Sequence, residues 1–236
     1  NPGYILAQAV KSAMDAHAAR RGKKAALVFL QNHGVFVGAD SVEGIKERYG
    51  EIMSKIGAKI QRRPDFSDEQ RESGGVLCAA SPPLGGIAKT LAELAGGTAA
   101  FMRYGEIAAL VKNRPAFAPV SSSFSPDHIV YAGSDPLFID LPPDKNTIGA
   151  AIREAWKKHA EKTGRDPKII AVQGVGIFSA AAGEKAAALA LDLFKDTIKV
   201  SVYAESFGGP LFMTADKIDF INNWEVERFR SSVSTQ

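Results

Sequence analysis

The chain has 236 residues, of which 45% are hydrophobic, and its formal net charge is +3 at pH 7. This length and apolar content predict one large or two modest domains with a sizeable core, and we expect a cytoplasmic protein. The basic runs are too short for a nucleic-acid surface, and no apolar run approaches the roughly 20 residues of a membrane span. A single cysteine, Cys78, excludes an intrachain disulfide and any multi-cysteine metal site.

The first third of the chain predicts a helix, a strand pair and a second helix. A Pro-Gly turn leads into an amphipathic helix from about Tyr4 to Arg20. The segments "KAALVFL" and "GVFVG" are apolar and read as strands joined by a tight turn. The stretch "DSVEGIKERYGEIMSKIGAKIQRR" then predicts a long helix with Asp40 or Ser41 as its cap.

The rest of the chain divides into a connection and a second domain. Residues 64–115 are predicted as a helical connecting segment, with a break at Gly96 and Gly97. Residues 116–236 are predicted as a second, smaller α/β domain. It begins with strands and turns rich in proline and serine, and continues with the helix "KNTIGAAIREAWKKHAEKTG", the strand pair "KIIAVQGVGIFSAA" and further helices.

An internal repeat links the two strand pairs. "FLQNHGVFVGADSVEGI" aligns without a gap on "AVQGVGIFSAAAGEKAA" at an offset of 173 − 31 = 142 residues, matching Gln31 with Gln173, Gly34 with Gly176 and Phe36 with Phe178. Two similar α/β units are therefore predicted. The repeat also argues against a dinucleotide phosphate loop at "QGVGIF", because a second apolar strand follows the glycines before any helix begins.

The turn of the first strand pair carries one of only four histidines, His33. The second copy has Val175 at the position of His33, and Gly174 at the position of Asn32. The turn therefore does not need a histidine to fold, which favours a chemical role for His33. A core histidine held by one backbone hydrogen bond is the alternative.

Several segments together resemble the class II aldolase/adducin family. "NPGYILAQAV" followed by "LVFLQNHGVFVGADSVEGI" is similar to the second half of such a domain, where a Pro-Gly turn and helix lead to a strand ending in Asn-His-Gly-Val. "SFSPDHIVYAGSDPLFID", "VQGVGIF" and "NNWEVERFR" resemble the region beyond that domain in bifunctional rhamnulose-phosphate aldolase/dehydrogenase-type proteins. The resemblance implies class II aldolase-like α/β/α layers, with an incomplete first unit at residues 1–63 and a second repeat lacking the histidine.

The resemblance also implies a metal-dependent lyase that splits a sugar phosphate or related hydroxy-carbonyl compound. A divalent metal, usually Zn²⁺, would be held by three histidines, of which the Asn-His-Gly turn supplies His33. Asn32 is a candidate substrate-binding residue, and His128, in "SPDHIVY", is a candidate second ligand or substrate contact. "SPDH" is also typical of a turn that opens a strand, with Asp127 bonding backbone amides. A small-molecule substrate and a homo-oligomer are expected, and neither nucleic acid nor a membrane is.

The chain departs from the family pattern in one important respect. It contains no His-x-His pair, and the family's acid/base glutamate and phosphate-binding segment lie upstream of the Pro-Gly turn. Catalytic residues are therefore unknown from this sequence, and one histidine does not make a zinc site. We expect a missing N-terminal part or another chain to complete the site. The alternative is a catalytically silent, adducin-like interaction module.

Overall fold

A computed structural model of the chain describes residues 3–80, 83–226 and 229, and it has a mixed α/β architecture. The first part contains α1 (Tyr4–Arg21), β1 (Leu27–Leu30), β2 (Gly34–Val37) and α2 (Val42–Gly57). β1 and β2 pair antiparallel, and the Ser41 side chain caps α2 by accepting a hydrogen bond from the backbone N–H of Gly44 at 3.0 Å. These four elements agree with the sequence prediction.

A larger unit follows, built on a five-stranded sheet in the order β3-β4-β7-β6-β5. Neighbouring strands are antiparallel except β5 and β6, which are parallel. The elements in chain order are β3 (Gln70–Ser73), α3 (Gly74–Cys78), α4 (Leu84–Ala95), β4 (Thr98–Arg103), α5 (Gly105–Leu110), α6 (Arg114–Phe117), β5 (Leu137–Ile139), α7 (Ile148–Thr163), β6 (Ile169–Val172), β7 (Gly176–Ala181), α8 (Glu184–Ala204) and α9 (Ala215–Asn223).

Helices cover both faces of this sheet. Successive side chains of a strand point to opposite faces, so Ile169 and Ala171 pack with Phe194 of α8, while Ile170 packs with Ile152 of α7. Each face has its own apolar cluster, and every residue of β6 is buried. The predicted α/β class is therefore confirmed, whereas the specific class II aldolase topology stays a prediction.

The predicted helical connection at residues 64–115 is wrong in two places. Gln70–Ser73 forms β3, and Thr98–Arg103 forms β4, which lies between β3 and β7. The predicted break at Gly96 and Gly97 is confirmed, because Gly96 adopts a left-handed φ of 64° and ends α4. β3 and β7 pair with the two edges of β4 and hold its apolar residues in a strand. This part of the segment therefore belongs to the same sheet as β5, β6 and β7.

Two further predictions differ from the structure or extend beyond it. The residues around "SPDHIVY" form a π-helical turn, His128–Ala132, instead of a turn that opens a strand. The predicted C-terminal helix is confirmed as α9, while positions 227, 228 and 230 lie outside the described residues. Within the described ranges, no helix is long and apolar enough to cross a membrane.

The internal repeat is confirmed by the positions of the elements. β6, β7 and α8 begin 142 residues after β1, β2 and α2, since 169 − 27, 176 − 34 and 184 − 42 all equal 142. The helices α1 and α7 both end at a glycine with φ 70°, Gly22 and Gly164. The cap residues Ser41 and Gly183 also share a backbone conformation, with φ of −145° and −144°. The two units therefore have the same local fold.

The two units differ in how many of their residues are buried. Between residues 3 and 57, Ile52 of α2 is the one residue that is buried, and α1 buries none. The equivalent α7, β6, β7 and α8 contribute to both apolar clusters of the larger unit. The first unit therefore has the fold of the second without its core.

Candidate functional site

The turn that carries His33 has a defined backbone conformation. The His33 N–H donates a hydrogen bond to the Leu30 carbonyl at 3.1 Å, and Asn32 adopts a positive φ of 56°. Asparagine and glycine are the residues that tolerate positive φ at this position of a turn. The second copy repeats the arrangement with Gly174 at φ 69° and with Val175 donating to Val172 at 3.0 Å. Histidine is thus not required by the turn geometry.

His33 is exposed and lies between two cavities. The first, which we call the α1 groove, has a volume of about 620 Å³ and is lined mainly by α1 and β2, including Leu6, Val10, Met14 and Phe36. The second, the turn pocket, has a volume of about 240 Å³. Its lining includes Asn32, Pro126, Met213 and Lys217 in addition to His33. The imidazole can therefore reach a ligand in either cavity.

Asn32 attaches the turn to the larger unit. Its Nδ2 donates to the carbonyl of Phe124 at 3.0 Å and to the carbonyl of Leu211 at 2.8 Å. Both amide hydrogens are thereby used, so only Oδ1 of Asn32 is left for a substrate donor. The observed contacts give Asn32 a positioning role beside His33, and its predicted substrate contact stays a prediction.

His128 lies in a different environment from His33. Its side chain is buried, its ring meets the Phe124 ring edge-on at 6.2 Å, and its Nδ1 has no hydrogen-bond partner among the described residues. Burial lowers the pKa of His128, with smaller opposing effects from Asp196 and Asp127. Its side chain lines neither the α1 groove nor the turn pocket. The structure therefore does not bring His128 and His33 together at one cavity.

Charged side chains at the α1 groove include one carboxylate that sequence analysis did not single out. Lys11, Asp15 and Lys24 line this cavity together with His33, and Lys11 Nζ lies 2.6 Å from the Asp15 carboxylate. The i,i+4 spacing of Lys11 and Asp15 was visible in the sequence. Their position relative to His33 was not, because it depends on how α1 packs on the hairpin.

A complete zinc site is not formed by the residues that the structure describes. Zinc in proteins takes three or four ligands from histidine, cysteine or carboxylate side chains. Across residues 3–80, 83–226 and 229, no group of three such side chains is close enough to hold a metal ion. His33 would have to share a metal with ligands from elsewhere.

No protein-family model and no curated protein matches this chain.

Proposed function

We propose that this chain is part of a metal-dependent lyase of the class II aldolase type. His33 would contribute one imidazole nitrogen to a divalent metal, zinc by the family resemblance, whose other ligands come from outside the described residues. The observation that carries the proposal is the turn itself. Two copies of one turn share their backbone conformation, and the copy with an exposed, cavity-lining position has histidine where the other has valine.

The surroundings of His33 fit a small, anionic substrate. The turn pocket, of about 240 Å³, lies beside His33 and is only slightly smaller than the range of about 300–1,000 Å³ that is typical of ligand cavities. Lys217 lines this pocket, and its ammonium group attracts phosphate. A sugar phosphate or related hydroxy-carbonyl compound is the substrate class that we propose.

A substitution at the turn tests this function. His33→Val installs the residue that the second copy already uses, so the product of the complete gene should fold normally. It should lose its bound zinc and at least about 100-fold of its ketose-phosphate cleavage, because losing even an outer-shell partner of a ligand costs about 10- to 100-fold. Metal analysis and steady-state cleavage assays provide the measurements.

The control for this experiment is His17→Val. His17 lies on α1 but lines neither cavity, so its replacement should leave metal content and turnover unchanged. A His33→Val protein that unfolds while keeping its metal would show that His33 is structural, and the proposal would then be withdrawn.

The alternative function is a catalytically silent, adducin-like interaction module. Two observations favour it: no three-ligand group occurs among the described residues, and large apolar side chains are exposed in the first unit, among them Phe29, Phe36 and Met53. Metal analysis separates the two functions. If the product of the complete gene binds no zinc and cleaves no ketose phosphate, the interaction module is the function that stands.

A further inference from the structure

The α1 groove is an apolar surface whose covering can be deduced from the internal repeat. Leu6, Val10, Met14 and Phe36 line the groove, and Phe36 is 53% exposed. Adding 142 to each number gives the equivalent residues of the second copy, all of which are buried: Ile148, Ile152, Trp156 and Phe178. The same surface is therefore open in one copy and covered in the other.

A helix followed by a strand covers this surface in the second copy. The buried equivalents belong to one apolar cluster with Ile87 and Leu91 of α4 and with Ala99 and Phe101 of β4. β4 pairs antiparallel with β7, placing Phe101 opposite Phe178 and Ala100 opposite Ser179. In the first copy, β2 pairs with β1, and no other strand in the described part of the chain pairs with it.

The glycines that begin β2 and β7 show the same difference between an open and a covered surface. Gly34 and Gly176 have similar φ values of 150° and 158°. A Cβ atom on Gly176 would lie 2.6 Å from the Phe101 ring, whereas a Cβ atom on Gly34 would meet nothing within 4 Å. Gly34 thus has the same conformation as Gly176, which lies close to β4. The space that β4 occupies beside Gly176 is empty beside Gly34.

Charge supports the same occupant. In the second copy, the Arg153 guanidinium pairs with Glu93 of α4. Arg153 is equivalent to Lys11, because 153 − 11 = 142. In the first copy Lys11 pairs with Asp15 of its own helix instead. A helix that docks on α1 as α4 docks on α7 would therefore bring its residue equivalent to Glu93 next to Lys11, where an acidic side chain could form the corresponding ion pair.

We infer that the α1 groove and the open edge of β2 form the docking site for a polypeptide segment consisting of a helix followed by a strand. The strand pairs antiparallel with β2 and presents an apolar side chain to Phe36. The helix packs on Leu6, Val10 and Met14, and carries an acidic residue opposite Lys11. This inference does not require that His33 binds a metal.

The segment comes from polypeptide outside these 236 residues. Within each copy of the chain, α4 and β4 are already packed in the five-stranded sheet, with β4 held between β3 and β7. The α4 and β4 of a second copy therefore cannot dock here without dismantling the core of that copy.

Amide hydrogen exchange tests the docking directly. Amides of an antiparallel strand alternate between its two edges. The Gly38 N–H donates to Ala26 of the β1 side at 2.9 Å, so the amides of Val35 and Val37 face the open edge, while that of Phe36 faces β1. In the product of the complete gene, Val35 and Val37 should exchange at least about 100-fold more slowly than in the 236-residue chain. Phe36, already paired with β1, is the internal reference.

Two variants sharpen the result. Phe36→Glu places a charge in the groove and should return Val35 and Val37 to the exchange rates of the 236-residue chain. Val76→Glu changes a side chain of α3 that is 75% exposed and lies outside the groove, and it should have no such effect.

The inference is overturned if Val35 and Val37 exchange equally fast in both proteins. It is also overturned if their protection disappears on dilution to a monomer, because a second copy would then be the occupant. The exchange measurements are made with a chelator present, whereas zinc content and turnover are measured separately without one. Protected amides in a protein that binds no zinc and has no turnover would support docking and contradict the aldolase proposal. Unprotected amides in a protein that binds zinc and cleaves ketose phosphates would contradict docking and support the aldolase proposal.

Discussion

The buried imidazole of His128 makes stability depend on pH. Burial lowers its pKa below the ordinary value of 6.5, so the folded chain binds a proton at this ring less readily than the unfolded chain does. The unfolded chain binds the proton first as the pH falls. The free energy of unfolding should therefore be at its full value above about pH 6.5 and should decrease below it, by at most about 1.4 kcal/mol at pH 5.5 from this residue.

Replacement of His128 by phenylalanine checks this prediction. The new ring would pack beside Phe124 and would leave no buried nitrogen without a partner. Urea unfolding of both proteins at pH 7.5 and 5.5 should show a smaller loss of stability on acidification in His128→Phe. His159, whose pKa is also lowered by burial, is present in both proteins and cancels in the comparison. An unchanged pH dependence would rule out His128 as its source.

The duplicated hairpins provide a matched pair of glycine substitutions. Gly34→Ala and Gly176→Ala both place a side chain where φ is strongly positive, which costs roughly 1–3 kcal/mol in either copy. Only Gly176→Ala also drives a methyl group into the Phe101 ring. We expect it to destabilise the chain by a further 1–3 kcal/mol or so, as overpacking does in well-packed cores.

Thermal unfolding of the two alanine variants measures this difference. Gly176→Ala should have the lower midpoint. Equal midpoints would mean that the Phe101 ring moves aside without cost, and that close approach of β4 does not explain the glycine.

Residues between α2 and β3 attach to the larger unit through the buried carboxylate of Glu106. Arg62 Nη1 donates to Glu106 Oε2 at 2.7 Å, and Arg62 also pairs with Glu205. The Asp65 N–H donates to the same Glu106 oxygen at 3.2 Å, and the Glu106 N–H donates back to the Asp65 carbonyl at 2.8 Å. These contacts hold the residues between α2 and β3 against α5 and the end of α8 in the larger unit.

Arg62→Met should weaken this attachment. The Glu106 carboxylate, 8% exposed, would lose its charged partner and keep only the Asp65 N–H, and the loss of a hydrogen bond to a charged group costs roughly 1–3 kcal/mol. Arg63→Met, at the neighbouring exposed position, is the control and should have little effect. Urea unfolding at pH 7 compares them, and equal stability of the two variants would show that the ion pair contributes nothing measurable.

Elements with strong local patterns were predictable from the sequence. The hairpins, α2, α7 and α8 follow from apolar periodicity and turn residues, and the repeat relates them at a constant offset. β4 was missed because "TAAFMR" follows a helix and resembles more helix. Its strand conformation comes from pairing with β3 and β7, and β7 begins more than 70 residues later. β-Structure of this kind depends on such distant partners more than on intrinsic preference.

The candidate site also has features that the sequence predicts and features that only the tertiary structure shows. The motif around His33 identified the turn, and the second copy showed that valine suits the same geometry. The sequence held no sign that Asn32 bonds Phe124 and Leu211, or that His128 is buried away from both cavities. These contacts join residues 92 and 179 positions apart, so they arise from packing of the whole chain and not from any local pattern.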